Sequence, residues 1–490
     1  MRRRVSTILA AAGFALLACG PGESGPTGAG AREVQPASPA GADSAPRPSV
    51  VLITLESLRT DHVGAYGGRS RTRPEEPITP TLDALAEEAV VYERAHSVTS
   101  WTLASHASLF TGLYPSAHQT QRPLATLGDD YETLAVRLAD VGYQTAAAVS
   151  GPYLRSVHNL TQGFDWIDDS SANPLHPRAH SDVTNAGMEA ALIRFVELER
   201  EAGRPFFLFA YFWDPHFDFL PPEPYDRLFV GEGSQRVDMR NFETGDAVHP
   251  DLRPAEFDFL LSQYDGEIRA TDELLGRFFG LLRQRGLWDD TLVIVTSDHG
   301  EEFFDHGEKG HKKNLYQETV QVPLFVKYPR RVAAAPPAGS RDSRLVSLVD
   351  VVPTVLELAG APAADPTHGY SLLDATDDER EIYFELLASW YTTRVGKAIS
   401  EIELWTGIRH GDQKLIRSPD DTRLFDLASD PGEQRNLFDA RSEDVDALDD
   451  RLRDALRRIR AHGRRFKAGA TAEVEDEATD QLCALGYLKC

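Results

Sequence analysis

Val50-Val51-Leu52-Ile53-Thr54-Leu55 is an unbroken apolar run, and Glu56 follows it directly. A strand with one wet face alternates apolar and polar residues. A run without alternation suits a strand covered on both faces, as in a parallel sheet between helices. Residues 205–212 (PFFLFAYF), 291–296 (TLVIVT) and 322–326 (VPLFV) have the same character, and residues 145–149 a weaker form of it. Between them lie helical patterns at 80–90, 132–141, 182–201 and 254–285, the last in one piece or two. The first has Thr79 in front and Pro80 in its first turn, both start signals. Strands alternating with helices predict an α/β fold around a mostly parallel central sheet flanked by helices. Beyond about residue 375 the style changes to short strand-like pieces at 402–408, 414–416 and 423–427, with a turn signal at Asp430-Pro431-Gly432. These predict a small C-terminal antiparallel sheet. A charged helix near 443–467 closes it, its alternating Arg and Asp marking a solvated face.

The chain has 490 residues, 41% hydrophobic, 9% aromatic and 26% charged, which excludes wholesale disorder, a collagen and a polytopic membrane protein. A chain this long buries a large core without staples. Its formal charge of −25 excludes wrapping nucleic acid, which needs a basic face, but leaves room for a locally positive pocket. At the N-terminus, Arg2, Arg3 and Arg4 precede an apolar stretch, residues 5–18, too short to span a bilayer. Leu16-Leu17-Ala18-Cys19-Gly20 resembles the lipobox of bacterial lipoproteins, in which the cysteine becomes the lipidated N-terminus. That likeness implies a signal peptide at 1–18, lipidation of Cys19, and a place in the bacterial cell envelope, at the outer membrane or facing the periplasm, held to a membrane by acyl chains. A plain secretory signal is the alternative. Residues 19–48, rich in Gly, Pro, Ala and Ser, form a flexible tether. The predicted plan is then a catalytic domain at 49–375 and a C-terminal subdomain at 376–490. Cys483 and Cys490 pair, or stay as two thiols; both readings stand.

In open α/β sheets, sites form beyond the carboxyl ends of the strands. Glu56 follows the first run; Ser297, Asp298, His299 and Gly300 follow 291–296; Trp213, Asp214, Pro215 and His216 follow 205–212. Three buried strands delivering acids or histidines at one end are better explained by a shared site than by separate caps. Glu56, Asp298 and His299 offer two carboxylates and an imidazole, a donor set that favours Mn²⁺ or Zn²⁺, admits Mg²⁺ and suits Ca²⁺ less. Residues 97–112 are dense in hydroxyls. A helix starting near Thr102 aims free N–H groups and the positive dipole end at an anion. Thr102 beside a metal then serves as ligand and nucleophile; in the alternative, Ser100 or Thr102 only caps the helix. Residues 305–313 pack two histidines and three lysines into nine positions, either a local field for an anion or an exposed loop.

Residues 55–67 (LESLRTDHVGAYG), 102–115 (TLASHASLFTGLYP), 297–307 (SDHGEEFFDHG), 316–323 (YQETVQVP) and 425–437 (FDLASDPGEQRNL) resemble, in order and spacing, the sulfatase family of the alkaline-phosphatase superfamily. The resemblance implies a large α/β domain with a small C-terminal sheet, one or two metals, and a covalent intermediate on an anionic ester. It places Glu56 at the first of two metal-binding aspartates, Ser57 at the second, Asp298 at a metal-binding aspartate and His299 where many sulfatases have asparagine. Thr102 takes the nucleophile position, held in sulfatases by a cysteine or serine that is oxidised to formylglycine. The Cys-x-Pro-Ser-Arg signature reads Thr102-Leu103-Ala104-Ser105-His106, so the arginine is missing, and threonine is not a formylglycine precursor. The Gly-Lys-Trp-His segment has no match around 149–154. Lys312 aligns with the later active-site lysine, and His216 with the Asp-Pro-His histidine. The set Glu56, Thr102, Asp298 and His299 is similar to the metal ligands of the superfamily's phosphoglycerol and phosphoethanolamine transferases, which use an unmodified threonine, although no row of membrane spans precedes the domain here.

The sequence thus predicts a metal-dependent enzyme on an anionic ester, sulfated or phosphorylated, of a glycan, lipid or small molecule. Thr102 is the nucleophile; Glu56, Thr102, Asp298 and His299 hold the metal; His216 and His311 protonate the leaving group or bind the anion; Lys312 clamps it. A formylglycine hydrate releases sulfate by collapse. A threonine ester must be opened by a second attack, which favours phosphoryl chemistry. The other readings are a transferase or phosphodiesterase, an inactive binding lipoprotein suggested by the broken signature and Ser57, and an interaction module of an envelope assembly.

Overall fold

The opening apolar run forms β1 (Ser49–Leu55), and in the computed structural model all but its first residue are buried. The structure describes residues 47–172, 184–374, 379–389 and 402–472. The proposed signal peptide, Cys19, nearly all of the tether, Cys483 and Cys490 lie outside the described residues. The remaining strands of the main sheet are β2 (Val90–His96), β3 (Gln144–Val149), β4 (Trp166–Asp168), β5 (Phe206–Phe212) and β6 (Thr291–Ser297). After a short ribbon, β7 (Glu302–Phe303) with β8 (Lys309–Gly310), come β9 (Leu324–Lys327) and β10 (Arg341–Ser347). The order is β10-β2-β9-β6-β1-β5-β3-β4, and every pairing is parallel except the two made by β9. Because successive side chains point to opposite faces, strands β5 and β6, buried at every residue, are covered on both sides.

The helices are α1 (Pro80–Ala86), α2 (Thr102–Thr111), α3 (Pro115–His118), α4 (Leu134–Asp140), α5 (Asn185–Arg194), α6 (Tyr225–Leu228), α7 (Pro254–Gln284), α8 (Gln317–Val320) and α9 (Val351–Leu358). The pattern at 254–285 is one helix of 31 residues. Three readings shift. The helical pattern at 80–90 stops at Ala86, and Val90 already begins β2, whose Glu93 and Arg94 hide a strand. The run at 322–326 becomes β9 two residues later and runs antiparallel; continuous apolarity reports burial, not direction. Strand β10, RDSRLVS, escapes detection because it is a charged sheet edge, the kind that discourages pairing with other chains.

The C-terminal sheet is an antiparallel meander of β11 (Glu381–Ser389), β12 (Ile402–His410), β13 (Gln413–Arg417) and β14 (Thr422–Asp426). Helix α10 (Ser442–Gly463) buries Val445, Leu448, Leu452, Ala455, Leu456 and Ile459, a three–four spacing that makes one apolar stripe and leaves the charged residues in water. The sheet shares the core of the main sheet, with Phe384 edge-on to His96 and Phe425 edge-on to Tyr316, and polar groups cross the same boundary. Lys414 Nζ and Glu433 Oε1 form an ion pair of 2.9 Å with both side chains fully sealed. Glu433 Oε2 accepts from Gln317 N at 2.6 Å, and Lys414 Nζ also donates to Gln317 Oε1 at 3.0 Å.

Candidate active and metal-binding site

Strand register assembles the site. Leu55 pairs with Ser297 across β1 and β6, so Glu56 and Asp298 leave the sheet side by side. Glu56 N donates to Phe212 O at 3.0 Å, which fixes the first acid against the end of β5. Thr102 is the first residue of α2, whose ten residues are all buried. Its N-cap is Trp101, and no side chain caps the end. Ser100 Oγ instead donates to Asn314 O at 2.7 Å, and Thr102 Oγ1 turns to the acids. The capping reading of both hydroxyls is therefore corrected: the helix end stays open, its N–H groups and positive dipole end facing the site.

Thr102 Oγ1 lies 3.3 Å from Glu56 Oε1 and 3.2 Å from His299 Nε2. Glu56 Oε1 also accepts from Ser57 Oγ at 3.0 Å and lies 3.0 Å from His299 Nε2; the Tyr211 hydroxyl donates to Oε2. Asp298 Oδ1 accepts from the backbone N–H of Ser57 at 3.3 Å and of His299 at 3.0 Å. Ser57 makes both contacts from the left-handed region, φ 54°, a strained conformation for a residue with a Cβ. One donor atom from each of Glu56, Asp298 and His299 lies within 4.8 Å of the others, in a fully buried group. Asp298 Oδ2 is sealed from solvent and has no hydrogen-bond donor; its closest basic nitrogens are His299 Nε2 at 3.5 Å and His106 Nδ1 at 3.6 Å. An orphaned carboxylate oxygen in the interior costs several kcal/mol unless a cation meets it (~1–3 kcal/mol for a neutral group, more for a charged one). The donor set Glu56, Asp298, His299 and Thr102 therefore fits a divalent ion.

The electrostatics agree. Burial, followed by the charge of Glu56, pushes the Asp298 carboxyl well above its ordinary range. Burial works against the Glu56 carboxylate too, but His299, His216 and His311 hold its pKa well below the usual range. Burial also opposes a charged His299, yet Asp298 and Glu56 outweigh it and raise the ring to about 10. His299 Nδ1 is 2.9 Å from Gly300 O, which only accepts, so Nδ1 carries a proton and Nε2 is the atom turned to the acids.

His216 and His311 also approach Glu56: one donor atom from each of these three lies within 4.8 Å of the others. Lys312 Nζ lies over the Trp101 ring, 4.3 Å from its centroid, and burial lowers its pKa to about 7. The reading of 305–313 as one basic patch is narrower in the structure. Only His311 and Lys312 reach the site. Lys313 pairs with Glu243 at 2.8 Å, Lys309 donates to Gly245 O and Val248 O, and His306 is held by Glu318 and Glu433 O. His106, in place of the signature arginine, donates from Nδ1 to Thr102 O at 2.9 Å, and its Nε2 meets Thr54 Oγ1 at 3.0 Å. Burial lowers it to about 4, so it is neutral and brings no cation to the nucleophile. Sequence reasoning missed Tyr211, Glu301 and Trp101. Tyr211 had a signal: it is the one hydroxyl in an otherwise apolar strand. Glu301, which faces His311, had none.

The profile described as Sulfatase matches residues 48–361, and one described as N-sulphoglucosamine sulphohydrolase, C-terminal, matches residues 304–462. Arylsulfatase K of Canis lupus familiaris is 33% identical over 456 residues, covering 84% of this chain and 82% of its own. N-acetylglucosamine-6-O-sulfatase of Bacteroides thetaiotaomicron is 23% identical over 479 residues, covering 80% and 83%. The crystal structure of a phosphonate monoester hydrolase of Agrobacterium radiobacter shares the fold, with a TM-score of 0.64 at 23% identity over 85% of this chain and 96% of that one.

Proposed function

The chain belongs to the sulfatase family of ester hydrolases, and from that premise we propose that it hydrolyses an anionic sulfate or phosphate-type ester through a covalent intermediate on Thr102, with a divalent cation held by Glu56, Thr102, Asp298 and His299. The observation that carries this reading is the orphaned oxygen Asp298 Oδ2, buried beside Glu56, His299 and the Thr102 hydroxyl. A cation bound there supplies Lewis-acid polarisation that makes the threonine hydroxyl easier to deprotonate. Thr102 Oγ1 attacks the ester's central atom as the bond to the departing oxygen breaks, its own proton passing to solvent, while Glu56 and His299, both within 3.3 Å, hold the hydroxyl oxygen in place. The open end of α2 and Lys312 stabilise the charge gathered on the ester's other oxygens. His216 and His311 bind the anion or protonate the departing oxygen. Water then attacks the Thr102 ester and frees the hydroxyl.

The family name and the sulfatases among its relatives support a sulfate ester, of a glycan or an aryl alcohol. The unmodified threonine supports a phosphoryl group, whose threonine ester water opens more readily, and the phosphonate hydrolase fold fits that choice. We take the phosphoryl side. Parallel turnover of 4-nitrophenyl sulfate, 4-nitrophenyl phosphate and bis(4-nitrophenyl) phosphate by cation-loaded enzyme decides it. Turnover of the sulfate alone reverses the choice. Full retention of activity in Thr102→Ala removes the covalent mechanism. Binding without turnover of any ester makes the chain an inactive binder. The same reading keeps Cys19 as the lipid anchor, with the site presented at an envelope surface; mass spectrometry of the mature N-terminus tests that.

A further inference from the structure

Away from the catalytic centre, a cavity of about 1050 Å³ opens between α10, the start of β11 and the segment 361–374, a volume near the upper size of small-molecule sites. It lies at the far end of α2 from Thr102. His368, in its wall, donates its backbone N–H to Gly112 O at 2.8 Å, and the ten residues of α2 set roughly 15 Å between the two ends. Hydrogen bonds fix what the wall offers. The Tyr114 N–H donates to His368 Nδ1 at 3.0 Å, so His368 carries its proton on Nε2 and donates it to His462 Nδ1 at 2.8 Å. Burial lowers His368 to about 3 and keeps its ring neutral. His462, whose Nδ1 accepts, then carries its N–H on Nε2, and that N–H has no partner among the described residues. Nor has the guanidinium of Arg458, one turn earlier on the same face of α10. Tyr370 stands 59% exposed, yet it is held. Its N–H donates to Asp350 Oδ1 at 2.9 Å, and Arg380, paired with the same carboxylate, backs its ring at 5.2 Å. Arg380 is thus answered by Asp350, Glu381 by Arg451 and Glu379 by His410, whereas the Asp374 carboxylate in the wall has no partner among the described residues.

One cation and one anion therefore remain open in the wall, unpaired with each other. A small anion bound there would face Asp374, and a small cation would face Arg458. A hydroxyl both donates and accepts, so a polyhydroxylated ring meets both, and its C–H face suits a fixed aromatic ring. We propose that this cavity binds an uncharged saccharide, a hexose or N-acetylhexosamine ring lying on Tyr370 with its hydroxyls shared between Arg458, the His462 N–H and Asp374. A platform already held in place loses little freedom on binding. The inference deepens the glycan side of the proposed activity, because a second hold on a polymeric ester raises its concentration near Thr102. The binding itself does not depend on the Thr102 chemistry.

The full chain is titrated by calorimetry with chitotetraose, cellotetraose and maltotetraose, and with tetragalacturonate as the charged counterpart. At least one neutral tetrasaccharide binds at one site per chain, with a Kd that holds between roughly 50 and 500 mM NaCl, since no net charge is exchanged. Tyr370→Ala weakens that binding about tenfold, and Arg458→Gln about three- to tenfold. Both side chains are exposed, so both variants fold, and both turn over the wild type's 4-nitrophenyl ester at the wild-type rate. Failure of all three neutral sugars to bind, binding that both substitutions leave intact, or tighter and salt-sensitive binding of tetragalacturonate overturns the proposal. Thr102→Ala separates the two readings. Saccharide uptake alongside full activity of that variant keeps this site and removes the covalent mechanism; no uptake alongside lost activity does the reverse.

Discussion

Two acid–imidazole clusters draw on the segment that follows β6, and they are built to opposite ends. Glu302, His306 and Glu318 have much the same composition as Glu56, Asp298 and His299, and in each group the donor atoms lie within 4.8 Å of one another. In the Glu302 cluster the protein answers its own charges. Glu302 Oε1 accepts from His306 N at 2.8 Å and Glu308 N at 2.9 Å, and Oε2 from Asn314 Nδ2. His306 Nδ1 meets Glu318 Oε1 at 2.7 Å, Nε2 meets Glu433 O at 3.1 Å, and the ring stacks on Tyr316. Burial opposes a charged His306, but Glu318 raises its pKa above the ordinary value. In the Asp298 cluster one carboxylate oxygen is left over. Composition and proximity therefore do not tell the two clusters apart; the unmet demand for positive charge does.

The largest expected effects break that contrast at the unmet end. Asp298→Asn and Thr102→Ala each lower kcat by about a thousandfold or more, as loss of a residue acting in a catalytic unit does. Asp298→Asn also loses cation uptake in calorimetry. Next comes the satisfied end: His306→Asn costs about 1–3 kcal/mol in urea unfolding, because Glu318 and the Glu433 carbonyl lose a buried donor. The cation content of that variant stays at the wild-type value, and a fall in it would erase the distinction. Chelation is comparable: a cation at a hundredfold excess over its Kd stabilises the folded state by about 2.7 kcal/mol, so EDTA lowers the wild-type unfolding midpoint but not that of Asp298→Asn.

The smallest effect is in pH. Lys312, lowered to about 7 by burial, is an ammonium only below that value in the folded chain, while unfolded it stays protonated to about 10.5. KM for the anionic ester therefore rises as pH passes 7 in the wild type, and this step is absent in Lys312→Met. Between those two values the unfolded chain binds more protons, so stability rises with pH, by at most ~1.4 kcal/mol per unit. The stability advantage of Lys312→Met over wild type is accordingly greatest at or below pH 7 and shrinks towards pH 10.

The central sheet was legible because β1, β5 and β6 are apolar at nearly every position, a pattern that only two-sided burial produces. Strands β2, β10 and β11 were not, because Glu93, Arg94, Arg341, Arg344 and Glu385 satisfy local partners and break the pattern without leaving the sheet. The same logic holds at the site. Glu56, Asp298 and His216 are readable as the residues that follow buried strands, and Thr102 as the start of a hydroxyl-rich helix. The separation of His311 and Lys312 from Lys309, Lys313 and His306 was not readable, since it depends on Glu243, Glu318 and Glu433, all remote in sequence or on another element.

The sealed Lys414–Glu433 pair has a bearing on how such chains evolve by exchange of parts. Both charges reach across to Gln317, and the Glu433 backbone takes His306, in the segment that carries His311 and Lys312. The small sheet is thus not a detachable module. A chimera that borrowed it from a relative would need the matching residues at 306 and 317, or it would inherit two interior charges with mismatched neighbours and a slack loop over the reacting groups.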